Sequence, residues 1–383
     1  MINLFGGLEM SEVEAASNET LTVSGPATVT LLAGKAEVLG APLTPERKIT
    51  VRRWRLLPIY CLEASRFRVE LGSGGELSKH PRSTVPERWK AAAGEILEKA
   101  EKEGLLTAVL GGVDVGKTTF TVYLSNRALA SGLTVSVVDG DVGQSDLGPP
   151  CTVGSSQLSH PVFDLFFVKP ERLVFVGSTT PSRVEENLVK GLRELCSFER
   201  RRSKLVVMNT DGWISGGDAE GFKVRLVEAV EADVVVGLQS SQELESILSR
   251  LEGKVEVVRL PAAPLVRPRS RSERRGLRWQ AYNKYLMGAS ILNLKVSRVK
   301  VSGKPTPGAI VGLYASKPER RLLGIGVILA WQRQRGALKI LTAVKGLVGE
   351  VVVGEVLPDF CIRRGEPPSR EPSPRVKAGE PQL

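Results

Sequence analysis

A chain of 383 residues, of which 42% are hydrophobic, is long enough for two or three folded domains and has the composition of an ordinary soluble protein. No apolar run approaches the roughly eighteen residues of a membrane span, and the N-terminus lacks a secretory signal, so we expect a cytoplasmic protein without a membrane partner. The formal net charge of +11 favours an anionic partner, although charge alone does not identify one.

The cysteines and histidines do not suggest a metal centre. The spacing of the four cysteines differs from that of metal ligands, which predicts reduced thiols that are mostly buried. Two histidines are too few for a multi-histidine cluster, and we expect both in loops or at the surface. These residues are Cys61, Cys151, Cys196, Cys361, His80 and His160.

Short strands are predicted at the beginning of the chain. Apolar residues alternate with other residues around Leu21, Val29, Ile49 and Phe67, and turns rich in glycine and proline separate these segments. The pattern predicts a small antiparallel β domain over residues 1–82. Residues 83–104 have a helical composition with Pro86 near the start, and we expect a connecting helix there.

The middle of the chain, residues 105–290, alternates apolar strands with helical stretches. The predicted strands are Thr107–Leu110, Val135–Asp139, Leu173–Gly177, Leu205–Asn209, Val234–Leu238 and Val255–Leu260. The predicted helices are Phe120–Ala130, Glu185–Leu195, Phe222–Val230 and Gln242–Leu251. Because the valine and leucine runs are nearly continuous, we expect a parallel sheet with helices on both faces. In such a doubly wound α/β fold, ligands collect at the carboxyl ends of the strands.

The end of the chain returns to β character. Strands are expected near Val296, Val299 and Val301, at Val327–Trp331 and at Val351–Val353, in a small C-terminal β domain over residues 291–365. Residues 366–383 are rich in proline and charge, which predicts a disordered tail.

A glycine-rich segment between the first central strand and its helix fits the pattern G-x-x-x-x-G-K-[ST]. In this context the backbone N–H groups and the helix N-terminus surround phosphate oxygens. Lys117 is expected to reach the β- and γ-phosphates, and the Thr118 hydroxyl to ligate Mg²⁺. A plain glycine turn is the alternative, which context and spacing both disfavour. The residues of this nucleotide loop are Gly111, Gly112, Val113, Asp114, Val115, Gly116, Lys117, Thr118 and Thr119.

Two aspartates follow the strand Val135–Asp139, where an acid lies beside the nucleotide loop in this fold class. Asp141 is the candidate base, which would take a proton from an attacking hydroxyl and could also contact the metal. Asp139 would either support Asp141 or contact the metal, and Gln144 would orient phosphate or substrate. The alternative is that the aspartates only form a turn after a strand.

Two further strand ends carry polar or aromatic side chains. Thr179 and Thr180 follow one strand and would either bind phosphate or substrate or cap the next helix. Thr210 and Trp213 follow another, and Trp213 would either stack on a nucleobase or pack the loop as a core residue. This loop lacks the lysine of the Asn-Lys-x-Asp segment with which GTPases read their base.

The segment from Arg267 to Arg278 contains six arginines and one acidic residue. Arginines three and four residues apart share one face of a helix, so Arg274, Arg275 and Arg278 can close over a nucleotide during phosphoryl transfer. The competing interpretation is a solvated basic face. We expect a lid at about residues 267–288.

Together these segments resemble the polynucleotide 5′-hydroxyl-kinase family, and the chain's compactness resembles the archaeal branch. The resemblance is carried by five segments in order, with Gly112 standing where the family often has proline. They are Asp114-Val115-Gly116-Lys117-Thr118, Asp141-Val142-Gly143-Gln144, Gly177-Ser178-Thr179-Thr180-Pro181, Thr210-Asp211-Gly212-Trp213, and Arg274-Arg275-x-x-Arg278 followed by Tyr285-Leu286-x-Gly288.

The resemblance implies a P-loop kinase domain flanked by two β domains. Its activity would transfer the γ-phosphate of ATP to the 5′-hydroxyl end of RNA, with DNA as a further acceptor, and would use Mg²⁺ or another divalent cation. Lys117, Asp141, Arg274 and Arg278 would be catalytic, with Thr118 and Asp141 at the metal. The substrate-binding residues would be Gln144, Thr179, Thr180, Thr210, Trp213 and Arg275. RNA-processing proteins are expected partners.

Two other functions are compatible with a nucleotide loop. A catalytically inactive ATP-binding scaffold of an RNA-processing complex is disfavoured by the intact Lys117, Thr118 and Asp141. A GTPase or metallochaperone is disfavoured because the base-reading lysine and clusters of cysteine or histidine are both missing.

Overall fold

The structure is a computed structural model that describes residues 9–358 apart from 317 and 319. The predicted disordered tail, the last residues of the predicted C-terminal domain and Cys361 lie outside these residues. The described residues fall into two units. The first is drawn from Met1–Gly148, Val153–Arg172 and Thr180–Arg269, and the second from Pro149–Thr152, Leu173–Thr179 and Ser270–Leu383. These units cut across the predicted domain boundaries.

Two antiparallel sheets form the N-terminal part of the first unit. Their strands are β1 (Glu9–Ala15), β2 (Thr20–Ser24), β3 (Ala27–Ala33), β4 (Ala36–Val38), β5 (Ala41–Pro42), β6 (Lys48–Val51), β7 (Leu56–Cys61), β8 (Ser65–Leu71) and β9 (Glu76–His80). The strand orders are β1-β8-β3-β6 and β5-β4-β7-β2-β9. Leu31 lies opposite Phe67 and Val29 opposite Val69, so alternate residues fill one interior. The predicted small β domain is confirmed.

Helix α1 (Glu87–Glu103) begins after Pro86 and links these sheets to the central sheet. Its buried Trp89 packs edge-on against Phe120, with ring centroids 5.1 Å apart, and donates its indole N–H to the Pro261 carbonyl at 2.8 Å. Trp89 and Phe120 belong to one apolar cluster that also contains Phe67 and Val29. The N-terminal sheets and the central sheet therefore share a core.

The central sheet carries the nucleotide loop at the end of one of its interior strands. In the first unit its strands are β10 (Leu105–Gly111), β11 (Val135–Gly140), β12 (Thr152–Leu158), β14 (Leu205–Thr210), β15 (Val234–Gln239) and β16 (Glu256–Pro261). Strand β13 (Arg172–Phe175) lies mostly in the second unit. The helices are α2 (Lys117–Ala130), α3 (Glu185–Arg200), α4 (Gly217–Ala229) and α5 (Glu245–Leu251). Within the first unit the strand order is β12-β11-β14-β10-β15-β16. The pairs β10–β14, β10–β15, β11–β14 and β15–β16 are parallel, as predicted.

Helices cover both faces of this sheet. Val207 of β14 belongs to the apolar cluster of α2, whereas the next residue, Met208, lies 3.7 Å from Cys196 of α3. Since successive strand residues point to opposite faces, α2 and α3 lie on opposite sides. The predicted P-loop fold is confirmed.

Strand β12 was not predicted, and it runs antiparallel to β11. Its sequence is TVGSSQL, which lacks the apolar run of its neighbours. The buried Glu199 of α3 accepts hydrogen bonds from Ser155 at 2.7 Å and from Ser136 at 2.8 Å. The Glu199 carboxylate thus provides the hydrogen bonds that these buried serines need. A search for apolar runs would not assign such serines to a strand.

The second unit contains helix α6 and a mixed sheet. Helix α6 (Arg271–Leu286) begins with a capping box between Ser270 and Glu273. The strands are β17 (Ser290–Lys295), β18 (Lys300–Ser302), β19 (Ile310–Ala315), β20 (Leu322–Gln332), β21 (Ala337–Thr342) and β22 (Val348–Val353), in the order β17-β21-β20-β19-β22-β18. Val296, expected in a strand, lies instead in a short 3-10 helix.

The cysteines and histidines are placed mostly as expected. Cys61, Cys151 and Cys196 are free and buried. His160 is exposed, but His80 lies half-buried in β9, with Nε2 3.1 Å from the Thr22 hydroxyl. Among the residues that the structure describes, no helix is both long enough and apolar enough to cross a membrane.

Candidate nucleotide and substrate site

The nucleotide loop connects β10 to α2 in a conformation that requires glycine at two positions. A Cβ on Gly111 would lie 2.6 Å from Val115 Cγ2 and 2.8 Å from the Leu238 carbonyl oxygen. Gly116 has φ +98°, and its Cβ would meet the Ala263 Cβ at 2.7 Å. A Cβ on Gly112, where the resembling family often has proline, would meet Ile214 Cδ1 at 3.4 Å as its nearest neighbour. The loop therefore keeps the compact backbone on which phosphate binding depends.

Lys117 points back across the loop, since its Nζ donates to the Gly112 carbonyl at 2.6 Å. Burial lowers the pKa of Lys117 to about 8, although the carboxylates of Asp141, Asp211 and Asp114 favour the charged form. The charge of Lys223 acts in the same direction as burial. A buried ammonium without a fully compensating anion is suited to receive phosphate.

Thr118 begins a chain of polar contacts at the ends of the strands. The Asn209 amide nitrogen lies 3.5 Å from the Thr118 hydroxyl and donates to Asp139 Oδ1 at 3.0 Å. The other oxygen of Asp139 accepts from the Ser145 hydroxyl at 2.9 Å and from the Asp146 N–H at 2.8 Å. Asp139 is therefore a structural support that shapes the loop after β11.

Asp141 is half-buried in that same loop. Its Oδ1 accepts from the backbone N–H groups of Gly143 at 3.0 Å and Gln144 at 2.9 Å, while Oδ2 makes no hydrogen bond with a described residue. Burial, together with the carboxylates of Asp211 and Asp139, raises the pKa of Asp141 to about 6, against the effect of Lys117. One oxygen fixes the side chain, and the other is available to a ligand.

The loop after β14 is organised by a buried ion pair. Lys223 of α4 lies 2.8 Å from Asp211 Oδ2 and donates to the Asp211 carbonyl at 3.1 Å. Asp211 Oδ1 in turn accepts the Trp213 N–H at 2.8 Å. The Trp213 ring is half-buried and stacks on Phe222 with centroids 5.6 Å apart. Trp213 therefore packs within the loop and is also partly exposed, whereas the sequence analysis treated packing and exposure as alternatives.

Thr210 was predicted to contact substrate, but its placement does not support that role. The side chain is fully buried, and its hydroxyl donates to the Val109 carbonyl at 2.8 Å. It braces β14 against β10. Gly212, two residues on, approaches the nucleotide loop so closely that a Cβ would lie 2.6 Å from Val113 Cγ2.

Asp114 connects the nucleotide loop to the segment that precedes α6. It has φ +57° and accepts from the Arg269 N–H at 2.8 Å and the Arg269 guanidinium at 2.7 Å. Arg269 also donates to the Trp54 carbonyl at 3.3 Å. The Asp114 carboxylate is thus held by protein groups.

Arginines from the N-terminal sheets reach the loop after β11. Arg52 is buried and lies 2.9 Å from Asp146 and 2.8 Å from Asp164. Arg55 also pairs with Asp146. Since Asp146 follows Asp141 by five residues and its N–H donates to Asp139, these arginines fix the loop that carries the candidate base.

Two cavities of the first unit open onto the start of α2. One, of about 670 Å³, is lined by β6, β7 and residues 156–171 and includes Thr118 and Thr119. The other, of about 150 Å³, is lined by Trp54, Trp89, Thr119 and Leu265 among others. Both lie beside the nucleotide loop.

The remaining predicted site residues are less directly placed. Gln144 is half-buried and donates to the Gly143 carbonyl at 3.0 Å. Thr180 is exposed and precedes a 3-10 turn at Pro181–Arg183 without capping it. Thr179 belongs to the second unit, and so do three half-buried arginines of the predicted lid. The roles of Thr179 and of these arginines stay predictions. These three are Arg274, Arg275 and Arg278 of α6.

The oxygen donors fit a divalent cation held partly by phosphate. The Thr118 hydroxyl and the free Asp141 Oδ2 are the kind of ligand Mg²⁺ prefers, and one or two protein ligands suffice when phosphates supply the rest. Among the described residues, no cluster of three or more His, Cys, Asp or Glu could form a complete metal cage. The site therefore fits a metal that arrives with a nucleotide.

Sequence reasoning missed Lys223, Arg52, Arg55 and the partner of Asp114. Each acts through a contact distant in the sequence. The signal available in the sequence was Lys223 itself, a charged residue within the largely apolar helix around Phe222.

Comparison with known proteins shows which family the residues around this site resemble. The sequence profile described as mRNA cleavage and polyadenylation factor CLP1 P-loop matches residues 111–288. The chain is 34% identical over 219 residues to a polyribonucleotide 5′-hydroxyl-kinase of Pyrococcus furiosus, covering 57% of this chain and 60% of that protein. It is 32% identical over 205 residues to one of Methanocaldococcus jannaschii, covering 54% and 56%. The chain thus spans less than two thirds of these archaeal relatives.

A eukaryotic relative and a solved structure extend the comparison. The polyribonucleotide 5′-hydroxyl-kinase Clp1 of Bos taurus is 29% identical over 341 residues, covering 81% of this chain and 76% of that protein. The Clp1p chain of a Clp1p–Pcf11p complex has a TM-score of 0.76 at 13% identity, covering 92% of this chain and 99% of that one, which shows a shared fold. The nucleotide-binding region of this chain, residues 111–288, is thus similar to the CLP1 P-loop family.

Proposed function

We propose that this protein is an ATP-dependent polynucleotide kinase that transfers the γ-phosphoryl group of ATP to the 5′-hydroxyl end of RNA. The observation that carries the proposal is the position of Asp141. One of its oxygens is fixed by two backbone N–H groups, the other is free, and its charge interacts with Lys117 of the nucleotide loop. A kinase needs a base so placed beside a phosphate cradle.

The reaction follows from these groups. The 5′-hydroxyl gives its proton to Asp141 Oδ2 as its oxygen forms a bond to the γ-phosphorus, and the bond from the γ-phosphorus to the β–γ bridging oxygen breaks to release ADP. Lys117 and the loop N–H groups stabilise the negative charge on the phosphates. A divalent cation would neutralise further phosphate charge when held by Thr118 and Asp141.

The pKa of Asp141 suits this role. A base is most effective when its pKa lies near the working pH, and burial beside two carboxylates raises the Asp141 pKa to about 6. The residue is then mostly ionised at neutral pH, yet more basic than an exposed aspartate.

The substrates have candidate positions on either side of the loop. The smaller cavity, with Trp54 and Trp89 in its lining, offers aromatic surface for adenine next to Thr119. Trp213 offers a half-exposed ring on which the terminal base of the acceptor can stack. Arg274 and Arg278 would act as lid residues, with Gln144, Thr179, Thr180 and Arg275 contacting substrate.

The relatives also bear on partners. The solved neighbour is a complex of Clp1p with Pcf11p. We extend this to the proposal that the present chain works in the cytoplasm with RNA-processing proteins.

Transfer of label from γ-labelled ATP tests the function. A 5′-hydroxyl RNA should become labelled in the presence of Mg²⁺, whereas the same RNA bearing a 5′-phosphate should not, and a matched 5′-hydroxyl DNA measures acceptor preference. Lys117→Ala and Asp141→Asn should each reduce transfer at least about a hundredfold. Stable ATP binding with no transfer to either acceptor would instead indicate a scaffold, and preference for GTP in competition would indicate a GTPase.

A further inference from the structure

The sheet of the second unit carries positive charge that the proposed site does not use. Residues 290–358 contain eleven Lys or Arg, three Glu and no Asp. Five of the cations lie together at one end of the sheet, which we call the basic end. The basic end consists of Lys295, Arg298, Arg333, Arg335 and Lys339.

Two neighbouring turns bring these residues together. Arg298 closes the 3-10 turn that follows β17, and Arg333 and Arg335 lie in the 3-10 turn between β20 and β21. The Val296 N–H donates to the Gly336 carbonyl at 2.9 Å, which joins the two turns. The basic end is therefore fixed by the backbone.

The lysines extend the basic end along one face of the sheet. Lys295 pairs with Ala337, and Lys339 pairs with Asn293, in the β17–β21 register. Lys295 and Asn293 are two residues apart, so all four point to the same face. On the other side of β21, Ala337 pairs with Gln332. These positions of β17, β21 and β20 thus present two lysines with two amides.

The fold does not neutralise these charges. Lys295, Arg298, Arg333 and Arg335 are exposed and Lys339 is half-buried, and none of the five side chains forms an ion pair or hydrogen bond with a described residue. Glu350, by contrast, is engaged by Lys300 at 3.3 Å and Arg320 at 2.6 Å. A lysine on the edge strand β17 can discourage edge pairing, but the three arginines lie in turns where no strand would pair.

We propose that the basic end binds the sugar–phosphate backbone of the RNA, away from its reacting 5′ end. Arginine guanidinium groups form paired hydrogen bonds with phosphate, and amides such as Asn293 and Gln332 suit phosphate and ribose hydroxyls. The inference rests on the proposed function, which supplies a polyanion as substrate. Its consequence is that long RNA binds more tightly than short RNA, without reading of sequence.

Two triple variants of the full chain test this. The first is Arg298→Ala, Arg333→Ala and Arg335→Ala. The matched control is Arg88→Ala, Lys102→Ala and Arg250→Ala, which removes the same charge from exposed positions on α1 and α5. Binding of a long oligoribonucleotide is measured over a range of salt concentrations, and kinase kinetics compare that oligonucleotide with a trinucleotide.

The first variant should bind the long RNA at least about tenfold more weakly than the control. The slope of log affinity against log salt should fall by about 2, because each lost phosphate contact on a single strand contributes about 0.7. The kcat on the trinucleotide should stay unchanged. Equal RNA binding by the two variants would overturn the proposal. It would also be overturned if the first variant lost binding to anionic lipid vesicles but kept its binding to RNA. If no kinase activity is found in the unmodified protein, the binding measurements still decide the role of the basic end.

Discussion

The ammonium of Lys223 lies 2.8 Å from the carboxylate of Asp211, and both side chains are in the interior, 0% and 4% exposed. This pair positions two features of the candidate site. Asp211 holds the backbone of Trp213, and its charge contributes to the raised pKa of Asp141. A buried ion pair thus connects the aromatic ring of Trp213 with the candidate base.

Removing the lysine should destabilise the protein strongly. Lys223→Met leaves the Asp211 charge buried without its partner, which should lower the free energy of unfolding by about 3–5 kcal/mol in denaturant titration. Lys254→Met is the control, because Lys254 pairs with Glu228 at the surface, where the side chains are 56% and 45% exposed. That change should alter stability by less than about 1 kcal/mol. Similar losses in the two variants would contradict the importance of the buried pair.

Kinase activity should have a bell-shaped dependence on pH. The acid limb in kcat/KM for ATP should fall below about pH 6, as Asp141 becomes protonated and no longer accepts the hydroxyl proton. The alkaline limb should fall above about pH 8, as Lys117 loses the charge that binds phosphate. Lys117→Arg keeps the charge and should remove the alkaline limb, even if activity is lower. A flat profile across both pH values would count against these assignments.

The close approach of Gly212 to the nucleotide loop should make it intolerant of a side chain. In Gly212→Ala the new Cβ would lie 2.6 Å from Val113 Cγ2 and 2.9 Å from its Cα, so the nucleotide loop must move. We expect weaker ATP binding, by at least about tenfold, in a titration with the nucleotide. Gly94→Ala is the matched control, because nothing lies within 4 Å of the new Cβ in helix α1. It should leave ATP binding unchanged and stabilise the helix by roughly 0.5–1 kcal/mol.

Trp213 should affect RNA more than ATP. Base stacking on an aromatic ring is worth about 1–3 kcal/mol, so Trp213→Ala should raise the KM for RNA about 5- to 150-fold. The KM for ATP should stay within about twofold, since the ring does not contribute to the phosphate cradle. Trp213→Phe preserves a stacking surface and should restore most of the loss. An equal rise in both constants would show that the ring only packs the loop against Phe222.

The sequence predicted the elements that carry their own local signal. The strands at Val135, Leu205 and Val234 and the loop at Gly111–Thr119 were placed within a few residues, because apolar runs and a glycine pattern specify them. Strand β12 escaped prediction because its buried serines depend on Glu199, 44 residues after Ser155. Helix α5 begins at Glu245, three residues later than predicted, and boundaries of this kind carry little sequence signal.

The electrostatic part of the site depends on contacts between distant residues. Asp141 was predicted from its place after a strand, but its raised pKa comes from burial and from Asp211, 70 residues later. The buried hydroxyl of Thr210 could not be distinguished from an accessible one by position alone. Charge partners such as Arg52 with Asp146 follow from tertiary packing, which local spacing does not encode.

The common interior of Phe67, Trp89 and Phe120 means that the N-terminal sheets are not an accessory module. A version of the protein beginning after residue 82 would expose apolar surface around Trp89 and Phe120 to water and would leave Asp146 without Arg52 and Arg55. Such a truncation should aggregate rather than yield a minimal enzyme.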